Sequence, residues 1–302
     1  MSSLEATDLL PRCTFPVRGS VVDCAVSGGA DSLALMVLAV EAGLEVTAVH
    51  VDHGLRPGSE REAAVVANAA HRFGAAFRSV TAAVAPGPNL EARARAVRLA
   101  ALPTGVLTGH TADDQAETIL LNLMRGAGLE GLSGMARGSN HPLLALRRHE
   151  TAQLCASLGL DPVQDPSNVD PRFRRNRVRH ELLPLLCEVA GRDVVPVLSR
   201  QAEVVAEVAT LLDDLTADVD AADTAQLRAL PDALCRVALR RWFREETASP
   251  YPPDAAAMRR LLRVARIEAR AADVVGGWRV ERTAGRLRLM RARDDGGQAL
   301  GG

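Results

Sequence analysis

The chain has 302 residues, of which 47% are hydrophobic and 24% are charged, a composition typical of globular proteins and not of disordered ones. Its formal net charge of −1 excludes a uniformly basic protein, so a nucleic-acid partner would need a local basic patch. All 36 basic residues are arginines. The N-terminus does not resemble a signal peptide, and no apolar run reaches the ~20 residues of a membrane span, so we expect a cytoplasmic protein that does not bind a membrane.

The first half of the chain alternates apolar runs with segments of helical periodicity. Strands are predicted at residues 21–26, 45–51, 76–80 and 106–109, and helices at residues 32–42, 59–73, 90–102 and 112–125. Because regular alternation at this spacing is typical of parallel strands joined by helices, we expect an α/β fold. Its doubly wound parallel sheet would carry helices on both faces.

The rest of the chain is predicted to be mainly helical. A loop with a short strand at residues 142–146 precedes a helix at 148–158, a polar loop at 161–177 and a helix near 180–187. Residues 277–291 alternate in the manner of strands. The predicted domains are a catalytic domain (1–190), a linking helix (191–223), a smaller, mainly helical domain (224–293) and a disordered tail (294–302).

A glycine-rich segment joins the first predicted strand to the next helix, and it consists of Ser27, Gly28, Gly29, Ala30, Asp31 and Ser32. Glycines let the backbone turn tightly and approach a ligand, and a helix N-terminus attracts a phosphate group. The carboxylate of Asp31 would repel that phosphate unless a Mg²⁺ ion bridged the two. The segment therefore predicts a phosphate-binding loop with a metal near Asp31, although similar turns are merely structural in other proteins.

The second predicted strand ends in His50, Asp52 and His53. In an open parallel sheet the ligand lies outside the carboxyl ends of the strands, so we expect these residues to face the same crevice as residues 27–32. A hydrogen-bonded histidine near a turn is the alternative for either histidine. A metal site formed by all three is not expected, because such close neighbours point their side chains in different directions.

The fourth predicted strand leads to His110, and the helix after it begins with Asp113, Asp114 and Glu117. Asp113 and Glu117 are four residues apart and share one helix face. Acidic residues in a first turn also stabilise a helix, which is the structural alternative. Beside His110 at a strand end, carboxylates of this kind can hold Mg²⁺ or an ammonium group, or accept a proton from an attacking amine.

An arginine-rich segment follows the polar loop and contains Arg172, Arg175, Asn176 and Arg177. A charged segment is usually a solvated surface, here stabilised by the aspartates just before it. Arginine also binds phosphate through two hydrogen bonds and stacks on unpaired bases. We therefore expect Arg175, Asn176 and Arg177 to contact RNA.

These segments together resemble the bacterial tRNA(Ile)-lysidine synthetases, a family of N-type ATP pyrophosphatases. The matching strings are SGGADS, HVDHGLR, GHTADDQAETILLNLMRGAGLEGLSGM, PLL and DPSNVDPRFRRNRVRHELLPLL, and they span roughly residues 21–186. The resemblance implies that ATP and Mg²⁺ are the cofactors, and that the partners are L-lysine and the tRNA(Ile) with a CAU anticodon. ATP would adenylate the oxygen on carbon 2 of the wobble cytosine, and the ε-amine of lysine would then displace AMP.

The resemblance also implies a role for each candidate residue. The catalytic residues would be Asp31, His110, Asp114, Glu117 and Arg175. ATP would contact residues 27–32 together with His50, Asp52 and His53. The tRNA and lysine would contact Asp113, Glu117, Arg172, Arg175, Asn176 and Arg177, and Mg²⁺ would be held by Asp31 and Asp114. Family members are often dimers, so the resemblance leaves open a monomer or a homodimer.

Three other functions fit parts of the pattern. A tRNA-thiolating enzyme of the same superfamily also adenylates a base, but such enzymes commonly use paired cysteines. The five cysteines here are scattered and form no CxxC motif. An amide-forming ligase acting on a small acid would not need the arginine-rich segment. A non-catalytic ATP-binding module would need neither that segment nor the carboxylates.

Overall fold

The computed structural model describes residues 4–52, 59–82, 97, 100–136, 138, 140–163, 169–249 and 253–291, with the backbone alone at 59–61. His53, most of the helix predicted at 90–102 and the tail predicted at 294–302 lie outside the described residues. The chain divides into two compact units, Met1–Ala206 and Glu207–Gly302. In the part of the chain that is described, no helix has both the length and the apolar character needed to cross a membrane.

Four parallel strands form the sheet of the first unit. They are β1 (Val21–Ala25), β2 (Glu45–Asp52), β3 (Ala76–Thr81) and β4 (Leu107–Thr108). Their order in the sheet is β3-β2-β1-β4 with every pairing parallel, which confirms the predicted α/β fold. In the sheet, β2 lies on one side of β1 and β4 lies on the other. The carboxyl ends of β1 and β4 therefore flank a switch point, where open α/β sheets bind their ligands.

The helices described in this unit are α1 (Ala6–Leu9), α2 (Ala30–Glu41), α3 (Ser59–Phe73), α4 (Ala112–Met124), α5 (Leu129–Leu132), α6 (Arg148–Ser157), α7 (Arg174–Arg177), α8 (Leu183–Ala190) and α9 (Val195–Leu215), of which α9 continues past the last residue of the unit. A 3₁₀ turn (Leu10–Arg12) follows α1, and a π-helical turn (Val178–Leu182) joins α7 to α8. α2 is apolar on most faces and contacts both the sheet and α6, so it forms the centre of the core.

Two predictions for the first unit were wrong in detail. The strand predicted at residues 142–146 is a pair of turns, in which Leu144 N–H donates to His141 O at 3.3 Å and Leu146 N–H donates to Leu143 O at 2.8 Å. Its leucines are buried as those of a strand would be, and an apolar run of this length does not distinguish the two. The loop predicted at 161–177 gives way to helix at Arg174.

In the residues described, the second unit combines the end of α9 and three further helices with a small antiparallel sheet. The elements are α10 (Thr224–Ala229), α11 (Asp232–Thr247), α12 (Ala255–Ala265), β5 (Ala271–Val274), β6 (Trp278–Thr283) and β7 (Arg286–Arg291), and the strand order is β5-β6-β7. Asp254 caps α12 by accepting a hydrogen bond from Ala257 N–H at 2.7 Å. Phe243, Leu261 and Val280 belong to a core of this unit's own.

Candidate active site

The phosphate loop predicted at residues 27–32 connects β1 to α2. Gly28 has a φ of +92°, a value that favours glycine, and a Cβ atom there would lie 3.2 Å from the side chain of Val163. α2 begins at Ala30, and Gly29 at its N-cap has no side chain to cap it. The first hydrogen bonds of α2 run from the N–H groups of Ser32 and Leu33 to the carbonyl oxygen of Gly29, so the N–H groups of Ala30 and Asp31 precede them, and such N–H groups bind phosphate in other proteins.

Two serines shape the loop from within. Ser32 Oγ donates to the carbonyl oxygen of Gly29 at 2.8 Å, and it accepts a hydrogen bond from the backbone N–H of Ser27 at 3.2 Å. The hydroxyl oxygens of Ser27 and Ser32 lie 3.3 Å apart. These bonds fix the loop before any ligand enters, so the loop is preorganised.

A second close approach joins the loop to the end of β4. A Cβ atom on Gly109 would lie 2.5 Å from the backbone oxygen of Asp31 and 3.1 Å from Ser32 Cα. Only glycine fits between these backbones without a shift. Gly109 therefore sets the spacing between the phosphate loop and His110, which follows it.

The residues predicted at the end of β2 take different positions. His50 is buried, with Nδ1 2.9 Å from the carbonyl oxygen of Val26, so it supports the β1 end from behind. Asp52 is half-buried at the last position of β2, and its carbonyl oxygen accepts from Ala82 N–H at 2.8 Å. The structure thus matches the hydrogen-bonded alternative for His50.

His110 forms a polar group with two neighbours at the end of β4. Its Nδ1 lies 2.7 Å from Thr108 Oγ1, and the same oxygen lies 2.6 Å from Nδ1 of His141. The two rings meet edge to face, with centroids 5.0 Å apart. Burial lowers the pKa of His141. The hydroxyl of Thr108 has a single proton, so at least one imidazole must donate to it.

α4 carries Asp114 and Glu117 into a cluster with three arginines. Asp114 Oδ1 lies 3.0 Å from both Arg148 Nη2 and Arg175 Nη2, and 3.7 Å from Arg179 Nη2. The Glu117 side chain is 0% exposed and accepts from Arg148 at 3.1 Å, from Arg175 at 2.7 Å and from Arg179 at 2.7 Å. The structure therefore brings together three of the predicted catalytic residues, Asp114, Glu117 and Arg175. We call Asp114, Glu117, Arg148, Arg175 and Arg179 the carboxylate–arginine cluster.

Arg148 extends the cluster to the phosphate loop. Its Nε lies 3.5 Å from Asp31 Oδ2, and the other carboxylate oxygen of Asp31 accepts a hydrogen bond from Thr151. Burial raises the pKa of Asp31, and Thr151 and Arg148 oppose that effect only in part. Burial also acts to raise the pKa of Asp114, but the charges of Arg148 and Arg175 outweigh it and the pKa is lowered. The guanidinium group of Arg148 therefore contacts both the phosphate loop, at Asp31, and the carboxylates of α4, at Asp114 and Glu117.

Asp113 points to a different partner. Arg147 Nε and Nη2 each donate to one of its carboxylate oxygens at 3.0 Å, and the backbone N–H of Arg148 donates at 2.8 Å. Arg147 also pairs with Asp193. Burial would raise the pKa of Asp113, but these hydrogen bonds lower it. Although the sequence places Asp113 and Glu117 on one face, the structure uses Asp113 to anchor α6 to α4.

The residues of the arginine-rich segment also differ in their partners and in their exposure. Arg175 enters the cluster, whereas the side chain of Arg172 is 83% exposed and pairs with Asp170, and that of Arg177 is 63% exposed and pairs with Glu181. Asn176 is buried and donates to the carbonyl oxygen of Asp170 at 2.9 Å. The predicted RNA contacts therefore divide into the half-buried Arg175, the buried Asn176 and two exposed arginines.

Known families account for these features together. A family model described as the PP-loop domain matches residues 9–186, and one described as the TilS substrate binding domain matches residues 223–288. A tRNA(Ile)-lysidine synthase of Nocardia farcinica is 41% identical over 298 residues, which make up 93% of this chain and 92% of that protein. The chain belongs to the tRNA(Ile)-lysidine synthase family. Another member, from Salinispora tropica, is 40% identical over 90% of this chain and 91% of its own length.

A solved structure outside the lysidine synthases shares the fold. The U34-tRNA thiolase from Methanococcus maripaludis, solved with its [4Fe-4S] cluster, has a TM-score of 0.54 and 17% identity. The match covers 67% of this chain and 78% of the thiolase chain. At this identity the likeness shows the fold alone, so it does not choose between chemistries.

Sequence reasoning missed three residues of this lysidine synthase site, namely Arg148, Thr151 and Arg179. A signal was present, because Arg147 and Arg148 lie at the N-terminal end of a helix, where positive charge is unfavourable. Two arginines at that position indicate carboxylate partners nearby. Arg179 stands four residues after Arg175, and the same helix face brings both to Glu117.

The donor set fits a metal ion in part. Among the described residues, no three His, Cys, Asp or Glu side chains are arranged to hold a metal ion. Asp31 fits the predicted Mg²⁺ contact, because it lies in the phosphate loop and its side chain is 26% exposed. Asp114 does not fit as it stands, since its oxygens accept from Arg148, Arg175 and Thr111.

Proposed function

We propose that this chain converts the wobble cytidine of the tRNA(Ile) with a CAU anticodon to lysidine, using ATP and L-lysine. The observation that carries the proposal is the contact of Arg148 with both Asp31, at 3.5 Å, and Asp114, at 3.0 Å. The reaction needs a nucleotide site next to a site for a cationic amine. A phosphate loop joined to buried carboxylates supplies both, and membership of the lysidine synthase family supports the same reading.

The first step forms an adenylated base. The oxygen on carbon 2 of cytosine attacks the α-phosphorus of ATP, and the bond to the β-phosphate oxygen breaks, so pyrophosphate leaves. The phosphate loop would hold the triphosphate through the N-terminus of α2. Arg175, whose side chain is 29% exposed, would stabilise the negative charge that develops at the α-phosphate. His50 would act indirectly, because its ring contacts the carbonyl oxygen of Val26, the residue just before the phosphate loop.

The second step forms the carbon–nitrogen bond. The neutral ε-amine of lysine attacks carbon 2 of the base, the bond from that carbon to the AMP oxygen breaks, AMP leaves, and the nitrogen gives up its extra proton to a base, for which Glu117 is the candidate. Asp114 and Glu117 would bind the ε-ammonium group of lysine once guanidinium groups that contact them in this structure move away from them. The cytosine must unstack to reach them, which costs a few kcal/mol and less in a single-stranded loop.

Magnesium and RNA contacts complete the proposal. Mg²⁺ would be held by Asp31, and by Asp114 only after the guanidinium groups move away from it, and it would neutralise charge on the ATP phosphates. Arg172 and Arg177 are exposed and would contact the tRNA backbone, as would the substrate-binding domain at 223–288. We place this activity in the cytoplasm, in a monomer or a homodimer.

Sulfur transfer is the rival chemistry, and the cysteines do not favour it. Burial raises the pKa of Cys24 and of Cys155 to about 12, so both remain protonated thiols near neutral pH. A protonated thiol is a poor nucleophile.

The decisive experiment is transfer of radiolabelled lysine to a CAU-anticodon tRNA(Ile) transcript, with ATP and Mg²⁺. The Asp31→Ala variant tests the phosphate loop, and Asp213→Ala is the matched control because Asp213 is an exposed aspartate of α9. We expect ATP-dependent incorporation by the wild type and by Asp213→Ala. We expect a loss of at least about 100-fold in Asp31→Ala. Wild-type protein that binds ATP but incorporates no lysine would refute the proposal.

A further inference from the structure

A groove lies between the carboxyl-terminal half of α4 and the segment formed by α7, the π-helical turn and α8. Its volume is about 460 Å³, within the range of ligand pockets. The groove is lined by apolar side chains, including Leu121, Met124 and Leu185, and by arginines. Met124 is 59% exposed and Leu185 is 52% exposed, so the apolar lining is open to solvent.

The groove continues the face of α4 that forms the active site. Leu121 lies seven residues after Asp114, and Met124 lies seven after Glu117. Seven residues are almost two full helical turns, so each pair lies on one face of the helix. The distance along the axis is about 10 Å at 1.5 Å per residue.

The charge of the groove favours an anion. Arg125, Arg174 and Arg177 all line it. Glu181 lines it too, but its carboxylate pairs with Arg177 at 2.8 Å. The arginines therefore outnumber the carboxylates. Apolar and guanidinium surfaces side by side are the chemistry that receives an unpaired base and its phosphate.

We propose that this groove binds a nucleotide neighbouring the reacting base on the same single strand of RNA. The base would lie against Leu121, Met124 and Leu185, and its phosphate would bind Arg125 and Arg174. The inference rests on the proposed function, because it takes the reacting base to sit at Asp114 and Glu117. A second copy of this chain and a protein partner are the competing occupants, and the tests below distinguish them from RNA.

The first test measures binding of an anticodon stem-loop RNA to four single variants. Met124→Ala and Arg174→Ala alter the groove, and Val189→Ala and Arg192→Ala alter matched exposed positions that do not line it. We expect Met124→Ala to weaken binding about fivefold. Arg174→Ala should lower the slope of log K against log salt by about 1. The two controls should bind as the wild type does, and all four variants should keep its melting temperature and ATP affinity.

The second test identifies the occupant. The same RNA is made with an abasic nucleotide either just before or just after the wobble position. If the groove holds one of those bases, the effect of Met124→Ala should disappear with one abasic RNA and persist with the other. An effect unchanged in both RNAs, or wild-type binding by Met124→Ala and Arg174→Ala, would overturn the inference. So would a change in sedimentation without a change in RNA affinity, since that result would assign the groove to a second copy.

The outcomes separate this inference from the proposed function. Groove-dependent RNA binding without lysine incorporation would leave the groove as an RNA site and refute lysidine synthesis. Lysine incorporation with unaltered RNA binding in the groove variants would retain the proposed function and refute the groove.

Discussion

Arg148 has a position that helix energetics alone would oppose. It lies in the first turn of α6, directly after Arg147, where the helix dipole is positive. Four carboxylates offset the unfavourable charge, because Asp113 binds Arg147 and Asp31, Asp114 and Glu117 surround Arg148. Departures from local stability rules of this kind tend to occur at functional sites.

We expect Arg148→Gln to lower lysine incorporation by about 100-fold, because it removes the charge shared by the phosphate loop and the cluster. It should also cost about 3 kcal/mol in the free energy of unfolding, since buried carboxylates lose a partner. Arg147→Gln is the matched control and should show a similar loss of stability with far less loss of activity. Urea unfolding and steady-state kinetics on both variants measure these effects, and equal activity losses would contradict the prediction.

The aspartates of α4 make stability depend on pH. The pKa values of Asp113 and Asp114 are lower in the folded protein than their ordinary value, so the unfolded chain binds more protons in acid. Stability from these residues is present above about pH 4 and is lost as pH falls below it. Asp31 has a raised pKa, so its protonation offsets part of that loss.

We therefore expect the urea midpoint of the wild type to fall between pH 5 and pH 3, and to fall less steeply in Asp113→Asn. That variant starts from a lower midpoint, because Arg147 loses its carboxylate partner. Unfolding curves at half-unit pH steps test this, and parallel pH profiles for the two proteins would show that Asp113 does not contribute.

Local pattern was enough to predict the elements that build the site. β1 follows from an apolar run that ends before a glycine pair, β2 follows from a second apolar run, and α2 and α4 follow from their helical periodicity. The pairing of the cluster was not predictable, because Arg148 stands 31 residues from Glu117 and Arg175 stands 58 from it. Contacts over such separations depend on how α4, α6 and α7 pack, which no local pattern encodes.

Gly109 tests the contact between β4 and the phosphate loop. Gly109→Ala would place Cβ 2.5 Å from the backbone oxygen of Asp31, so a backbone must shift. We expect a loss of about 1–3 kcal/mol in stability and of about tenfold in ATP affinity. Gly138→Ala is the control, because a Cβ there meets no atom within 4 Å. Calorimetric titration with ATP measures the affinity. Equal affinities in the two variants would show that the close approach at Gly109 does not affect ATP binding.

The whole molecule consists of two units with cores of their own. A ligand that binds the folded state of one unit stabilises that unit by RT ln(1 + [L]/Kd), about 2.7 kcal/mol at a hundredfold excess over Kd. The phosphate loop and the carboxylate–arginine cluster both belong to the first unit.

We expect a non-hydrolysable ATP analogue to slow amide hydrogen exchange within Met1–Ala206, and to leave exchange in α11, α12 and β5 to β7 unchanged. Asp31→Ala should abolish the slowing. Exchange measured by mass spectrometry after pepsin digestion resolves the two units. Equal slowing in both would show that they open as one cooperative body.

The three cations of the carboxylate–arginine cluster are all guanidinium groups, and the chain contains no lysine. A guanidinium group keeps its proton at every pH at which proteins remain folded. Amine-selective acylating reagents would therefore spare the side chains of the site and consume the free lysine supplied as substrate. A rise in turnover on the alkaline side would likewise report deprotonation of the incoming amine and not of a guanidinium group.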